Sequence, residues 1–248
     1  RSRRFDALNN RNASATANLN GYIGFKGSLG IFAPAASNLR WRGNATLKYD
    51  GPDDSTNRAF TIDGGFTSTW EIIGGSTLTV SGGTTATSGA LAKTGAGTLA
   101  LSGAQQYTGA TTVSTGTLAL VGGSQASAIT VDSGASLGFT LGSPTTSTQA
   151  VDLTNGTVKI TGTVDNSSDY KLMTADPGFT FTDLGTQLET PITDYELQLQ
   201  NGNTELWLVY TGGAGGTPYD TWAAGTFANP FTNTAPGVDF DNDGLSNL

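Results

Sequence analysis

LAKTGAGTLALSGAQQYTGATTVSTGTLAL, residues 91–120, holds the segment GTLAL twice, at 97–101 and again at 116–120, nineteen residues apart. Widening the template to a corner glycine followed by alternating small and apolar residues finds further copies. GSTLTV lies at 75–80, GASLGF at 134–139 and NGTVKI at 155–160. The first apolar residue of each copy is Leu78, Leu99, Leu118, Leu137 and Val158, at spacings of 21, 19, 19 and 21. Alternation over so short a run is the mark of a half-buried strand, with Leu118 and Leu120 on one face and Thr117 and Ala119 on the other. An apolar-x-x-Gly half precedes three of the copies: Val113-Ser-Thr-Gly116, Val131-Asp-Ser-Gly134 and Leu153-Thr-Asn-Gly156. Each unit thus reads as a short strand, a glycine corner and a second strand.

A unit of about twenty residues cannot bury its apolar face alone, whereas stacked units can. Stacking at the inter-strand spacing of about 4.8 Å would turn the five aligned residues into a ladder inside the stack. The sequence therefore predicts an all-β chain, a right-handed parallel β-helix (β-solenoid) with about 19–21 residues per coil and a small C-terminal helix and loop tail. A sandwich or jelly roll is the competing fold, but it lacks a repeating register. No helical period appears between about 20 and 212.

Composition agrees. Glycine (35) and threonine (40) supply 75 of 248 residues. Glycine permits the positive φ of tight corners, and threonine suits a pleated outer face. Histidine and cysteine are absent, which removes a Ser-His-Asp relay, a thiol nucleophile, a zinc site and disulfides. The net charge of −8 argues against nucleic acid as a partner. Charge is uneven: residues 1–58 sum to +5 (nine basic, four acidic) and residues 59–248 to −13 (three basic, sixteen acidic). Residues 94–131 carry none. No apolar run reaches the length of a membrane span. The opening Arg1-Ser2-Arg3-Arg4 reads as an internal boundary, a processing site or a fragment edge.

The 91–120 stretch resembles the autotransporter-associated β-strand repeat, also called the passenger-associated transport repeat. The resemblance rests on Lys93-Thr94-Gly95, Gly97-Thr98-Leu99, Leu101-Ser102-Gly103, Tyr107-Thr108-Gly109, Thr112-Val113 and Gly116-Thr117-Leu118. Gln105-Gln106 departs from the Asn and small residue usual there. What the resemblance implies is a parallel β-helix of a bacterial surface or secreted protein, and no catalytic activity.

Five segments follow. Residues 1–36 form an N-terminal lead-in or capping segment and 37–165 the solenoid coils, with Asp50–Asn57 as a protruding loop. Residues 166–211 form terminal coils and a hairpin cap around Asn201-Gly202, and 212–216 a glycine-rich linker. Residues 217–248 form a short helix plus a calcium-loop-like tail. Thr217-Pro218 is a helix start, and Tyr219, Trp222, Ala223 and Phe227 share one helical face.

The tail reads Asp239-Phe-Asp241-Asn-Asp243-Gly244-Leu-Ser-Asn247. Oxygen ligands at positions 1, 3 and 5 with glycine at 6 wrap a chain around Ca²⁺. The expected metal set is Asp239, Asp241, Asp243, the Leu245 carbonyl and Asn247, with Ca²⁺ the only implied cofactor. The stretch is similar to thrombospondin type 3 and dockerin loops.

Carboxylate pairs for glycan cleavage would come from Asp50, Asp53 and Asp54, Asp165 and Asp169, or Asp194 and Glu196. Each also reads as turn or surface charge. Trp41, Trp70, Tyr107 and Trp207 are the candidate sugar platforms. The reading that follows is a non-enzymatic extracellular rod or fibre segment of a bacterial surface, with itself as partner through end-to-end stacking into filaments. An adhesin binding surface glycans is the alternative, and a polysaccharide lyase or hydrolase a weaker one.

Overall fold

A computed structural model describes residues 15–19 and 39–212. Packing divides the chain into Arg1–Tyr210 and Thr211–Leu248, and only the first unit is described at length. It is a parallel β-solenoid whose coils visit three sheets in turn. The second sheet shows the logic most plainly. Its six strands are Asp54–Thr56, Thr77–Val80, Thr98–Leu101, Gly116–Leu120, Ala135–Thr140 and Thr157–Thr161, stacked in sequence order. Leu78, Leu99, Leu118, Leu137 and Val158 are direct register partners, and each is at most 1% exposed. A second inner ladder runs Val80, Leu101, Leu120, Phe139 and Ile160. Fully burying one such side chain is worth about 1.5–3 kcal/mol, so the ladders are the main cohesive feature of this face.

The first sheet stacks eight parallel strands: Ala15–Leu19, Ala45–Tyr49, Thr67–Ile72, Ala90–Thr94, Thr111–Val113, Ile129–Val131, Val151–Asp152 and Phe179–Thr180. One of its inner ladders is Leu47, Trp70, Lys93, Val113 and Val131. The third face begins with Arg40–Trp41 on Thr61–Ile62. It continues through the bridges Phe60 to Thr84 and Gln105 to Gln125 into Ser124–Gln125, Thr145–Ser147 and Tyr170–Ala175. Its inner positions are polar in mid-stack: Thr84, Gln105, Gln125 and Ser147 are all buried.

Coil length varies more than the five aligned apolar residues suggest. Val151 and its partner Phe179 are 28 residues apart, because the turn around Asp165 is inserted before the strand Tyr170–Ala175. The stretch Asp50–Asn57, expected to protrude, instead supplies the strand Asp54–Thr56, and Gly51 and Thr56 are buried. Thr56 fits the ladder beside Val80, which outweighs the turn chemistry around it.

At the C-terminal end the coil pattern stops. Gln187 and Glu189 pair with the edge of the second sheet, through Val158 N–H to the Gln187 carbonyl (2.6 Å) and Glu189 N–H to the Val158 carbonyl (2.8 Å). Beside Tyr170–Ala175 the third sheet turns antiparallel, adding Glu205–Tyr210 and then Tyr195–Gln200. Asn201, Gly202 and Asn203 all take positive φ in the connecting turn. A single 3₁₀ turn, Leu184–Thr186, is the only helical element among the described residues, and none there is long and apolar enough to cross a membrane.

Candidate functional site

Three of the four aromatic candidates for sugar binding are core residues. Trp41, Trp70 and Tyr107 are 0–1% exposed. Trp41, Phe60 and Trp70 form one cluster with ring centroids 5.2–5.8 Å apart. Buried in this way, their rings leave no face open to a sugar. Tyr107 ends a buried hydroxyl chain with Thr111 and Ser127, each link 2.7 Å, and burial pushes its phenol up to about 12. Trp207 is half-buried on the outer face of the hairpin. Its Nε1 donates to Glu205 (3.0 Å), Asn201 donates to the same oxygen (2.7 Å), and Lys171 both pairs with Glu205 and stands 5.3 Å from the indole.

The carboxylates are occupied by turn geometry. Asp53 accepts from the Thr77 N–H (2.7 Å) and Asp54 from the Ser55 N–H (2.8 Å). Asp165 accepts from the Ser168 hydroxyl (2.6 Å) and from the Ser168 and Ser167 N–H groups, which hold its carboxyl well below the usual range. Asp169 accepts from the Tyr210 N–H (2.8 Å) and Glu196 from Gln198 (2.6 Å). No group of three or more histidine, cysteine, aspartate or glutamate side chains placed to hold a metal ion occurs among the described residues. The expected calcium set, Asp239, Asp241, Asp243, Leu245 and Asn247, lies outside the described residues, as does the helix with Trp222.

What the sequence reading did not single out is the interior position of Lys93. It is 0% exposed, and its Nζ donates to the carbonyls of Thr94 (2.8 Å), Gly95 (2.7 Å) and Thr115 (3.1 Å). The signal was present: Lys93 is two residues from buried Leu91, so period-two alternation puts it inside. With Lys93 buried, residues 72–131 expose no charged side chain at all. The surface of this stretch is hydroxyl, amide and methyl.

Residues 91–120 match the passenger-associated-transport-repeat family model. Neither the curated proteins nor the solved structures give a match. The repeat and the β-solenoid together support a passenger-type repeat protein, secreted or on a bacterial surface.

Proposed function

We propose that this chain is a non-catalytic shaft segment of a bacterial surface or secreted protein, a stiff stack of coils that separates or carries other parts. The observation that carries the reading is the charge-free outer surface of residues 72–131 around continuous apolar ladders. Such a surface offers repeated backbone pairing and cohesion but no reactive group. The edge of the second sheet at the C-terminal end is already paired by Gln187 and Glu189. That supports a terminated rod segment over a filament subunit stacking coil on coil through this end.

The test is a panel of polysaccharides and surface glycans presented to the purified chain, with electron microscopy alongside. The expected result is isolated short rods, no saturable binding and no release of reducing or unsaturated ends. Saturable glycan binding lost on Trp207→Ala would favour the adhesin reading, and fibres with a repeat of about 4.8 Å would favour end-to-end stacking. Either overturns the passive shaft. Titration with Ca²⁺ addresses the tail: we propose that Asp239, Asp241 and Asp243 bind the ion there, and no calcium-dependent heat in a chain extended beyond residue 248 would refute it.

A further inference from the structure

We infer that Lys93 is a register lock, an internal cation that fastens two successive coils of the first sheet to each other at their glycine corner. Within Leu47, Trp70, Lys93, Val113 and Val131 it is the single charged rung. Its ammonium has three donors and meets three carbonyls: Thr94 and Gly95 from its own corner, Thr115 from the next. The corner is close-packed. A Cβ on Gly95 would lie 2.2 Å from the Ile72 carbonyl oxygen, and one on Gly116 2.3 Å from that of Gly95.

The lock addresses a weakness of the fold. Only three residues, Thr111–Val113, pair with Ala90–Thr94, and neighbouring coils repeat the same GTLAL. A slip of two residues would keep every side chain on its own face, so patterning alone discriminates weakly against it. A slipped strand would carry the Thr115 carbonyl away from Nζ and leave a buried charge under-bonded. That is a large penalty, while the charge itself adds little net stability over a well-packed apolar side chain. A single polar rung in an apolar ladder sets register in coiled coils by the same reasoning.

Burial pushes the Lys93 ammonium down to about 8. Trp70 and Val113 flank it, and the other charged groups near its strand, Lys48 and Glu71, pair with each other on the outer face (3.1 Å). The only other titratable group in residues 72–131 is the Tyr107 phenol, engaged by Thr111. With the folded value below the unfolded one, the folded chain releases this proton first. The Lys93 contribution to stability therefore rises with pH between about 8 and about 10.4, while that of the buried Tyr107 phenol falls as pH passes about 10.

Lys93→Met keeps the length and removes the charge. The expected result is amide exchange at least about tenfold faster over Thr111–Leu120, unchanged exchange over Ala135–Thr140, and loss of the stability rise between pH 8 and 10.4. Unchanged exchange over Thr111–Leu120 overturns the lock. A measurement on the unaltered chain guards against a variant that fails to fold. Amine acetylation followed by mass spectrometry should leave Lys93 unmodified while Lys159 reacts, and equal rates at the two would equally overturn it.

Discussion

Leu118 and Gly97 sit two coil positions apart and resist substitution for opposite reasons. Leu118 fills a ladder between Leu99 and Leu137 and is 1% exposed. Truncation to alanine leaves a cavity that the rungs above and below cannot close without breaking their own pairing. Leu118→Ala is expected to destabilise by about 2–5 kcal/mol in denaturant unfolding. Gly97 has no room for even a methyl, since its Cβ would stand 2.0 Å from the Ile73 carbonyl oxygen and 2.6 Å from that of Ser76. Gly97→Ala must displace backbone, and the loss should reach or exceed the about 1–3 kcal/mol of ordinary overpacking. Gly75 is the control. It has a φ of +82° but nothing within 4 Å of its Cβ position, so Gly75→Asn, which tolerates that region, should change stability by less than about 1 kcal/mol. A larger loss at Gly75 than at Gly97 would mean that conformation, not close approach, dictates the corners. The inner leucines were readable from sequence because a repeated five-residue strand shows its alternation. Lys93 was not read as interior because charge is normally a solvent signal, and three carbonyls meeting at one corner is a three-dimensional fact.

At the scale of elements, the shaft and the terminal hairpin should respond differently to acid. Residues 72–131 contain no carboxyl group. In the terminal region two carboxyls are held below their usual range. Asp165 is held low by the Ser168 hydroxyl and the N–H groups of Ser168 and Ser167. Glu205 is held low by Lys171, then by Trp207. A carboxyl whose folded value lies below its unfolded value contributes stability above the unfolded value and loses it as pH falls. Protection factors of Tyr195–Tyr210 are therefore expected to drop below about pH 4 while those of Thr98–Leu101 and Gly116–Leu120 hold. Asp165→Asn with Glu205→Gln should remove most of that difference. Parallel loss in both regions would show that the hairpin has no separate acid sensitivity. The hairpin strands were readable from their alternation and Asn-Gly turn. The strand Asp54–Thr56 and the polar third face were not, because two- and three-residue strands are too short to show a period and their neighbours, not their own pattern, decide which way they point.

For the molecule as a whole, a stack in which each coil touches only its neighbours has stability close to a sum of coil and interface contributions. Such a stack should survive the loss of one coil, provided the cut respects the register. Deleting Leu99–Thr117 joins Thr98 to Leu118 and regenerates GTLAL after an intact Lys93-Thr94-Gly95-Ala96-Gly97 corner. The strand Ala90–Thr94 would then face Ile129–Val131, and Lys93 would find in the Ser133 carbonyl the counterpart of Thr115, since Val131-Asp-Ser-Gly134 has the spacing of Val113-Ser-Thr-Gly116. Losses are identifiable: the hydroxyl chain of Tyr107 and Thr111 disappears, Ser127 loses its partner, the second sheet loses one rung from each of its two inner ladders, the first sheet loses Val113 and the third face loses Gln105. The shortened chain is expected to unfold in one cooperative transition, somewhat earlier than the parent, and to be shorter along the stack by one strand spacing, about 4.8 Å. Circular dichroism and denaturant unfolding test the first point and small-angle scattering the second. A deletion of about half that length, Leu99–Thr108, joins Thr98 to Gly109. It offsets every later strand by about half a coil, so the ladders cannot re-form in register. If the two deletions were equally tolerated, the joint would be unimportant and the ladder register would not govern assembly. If neither folded, the stack would be one indivisible cooperative unit, and the modular shaft proposed above would lose its physical basis.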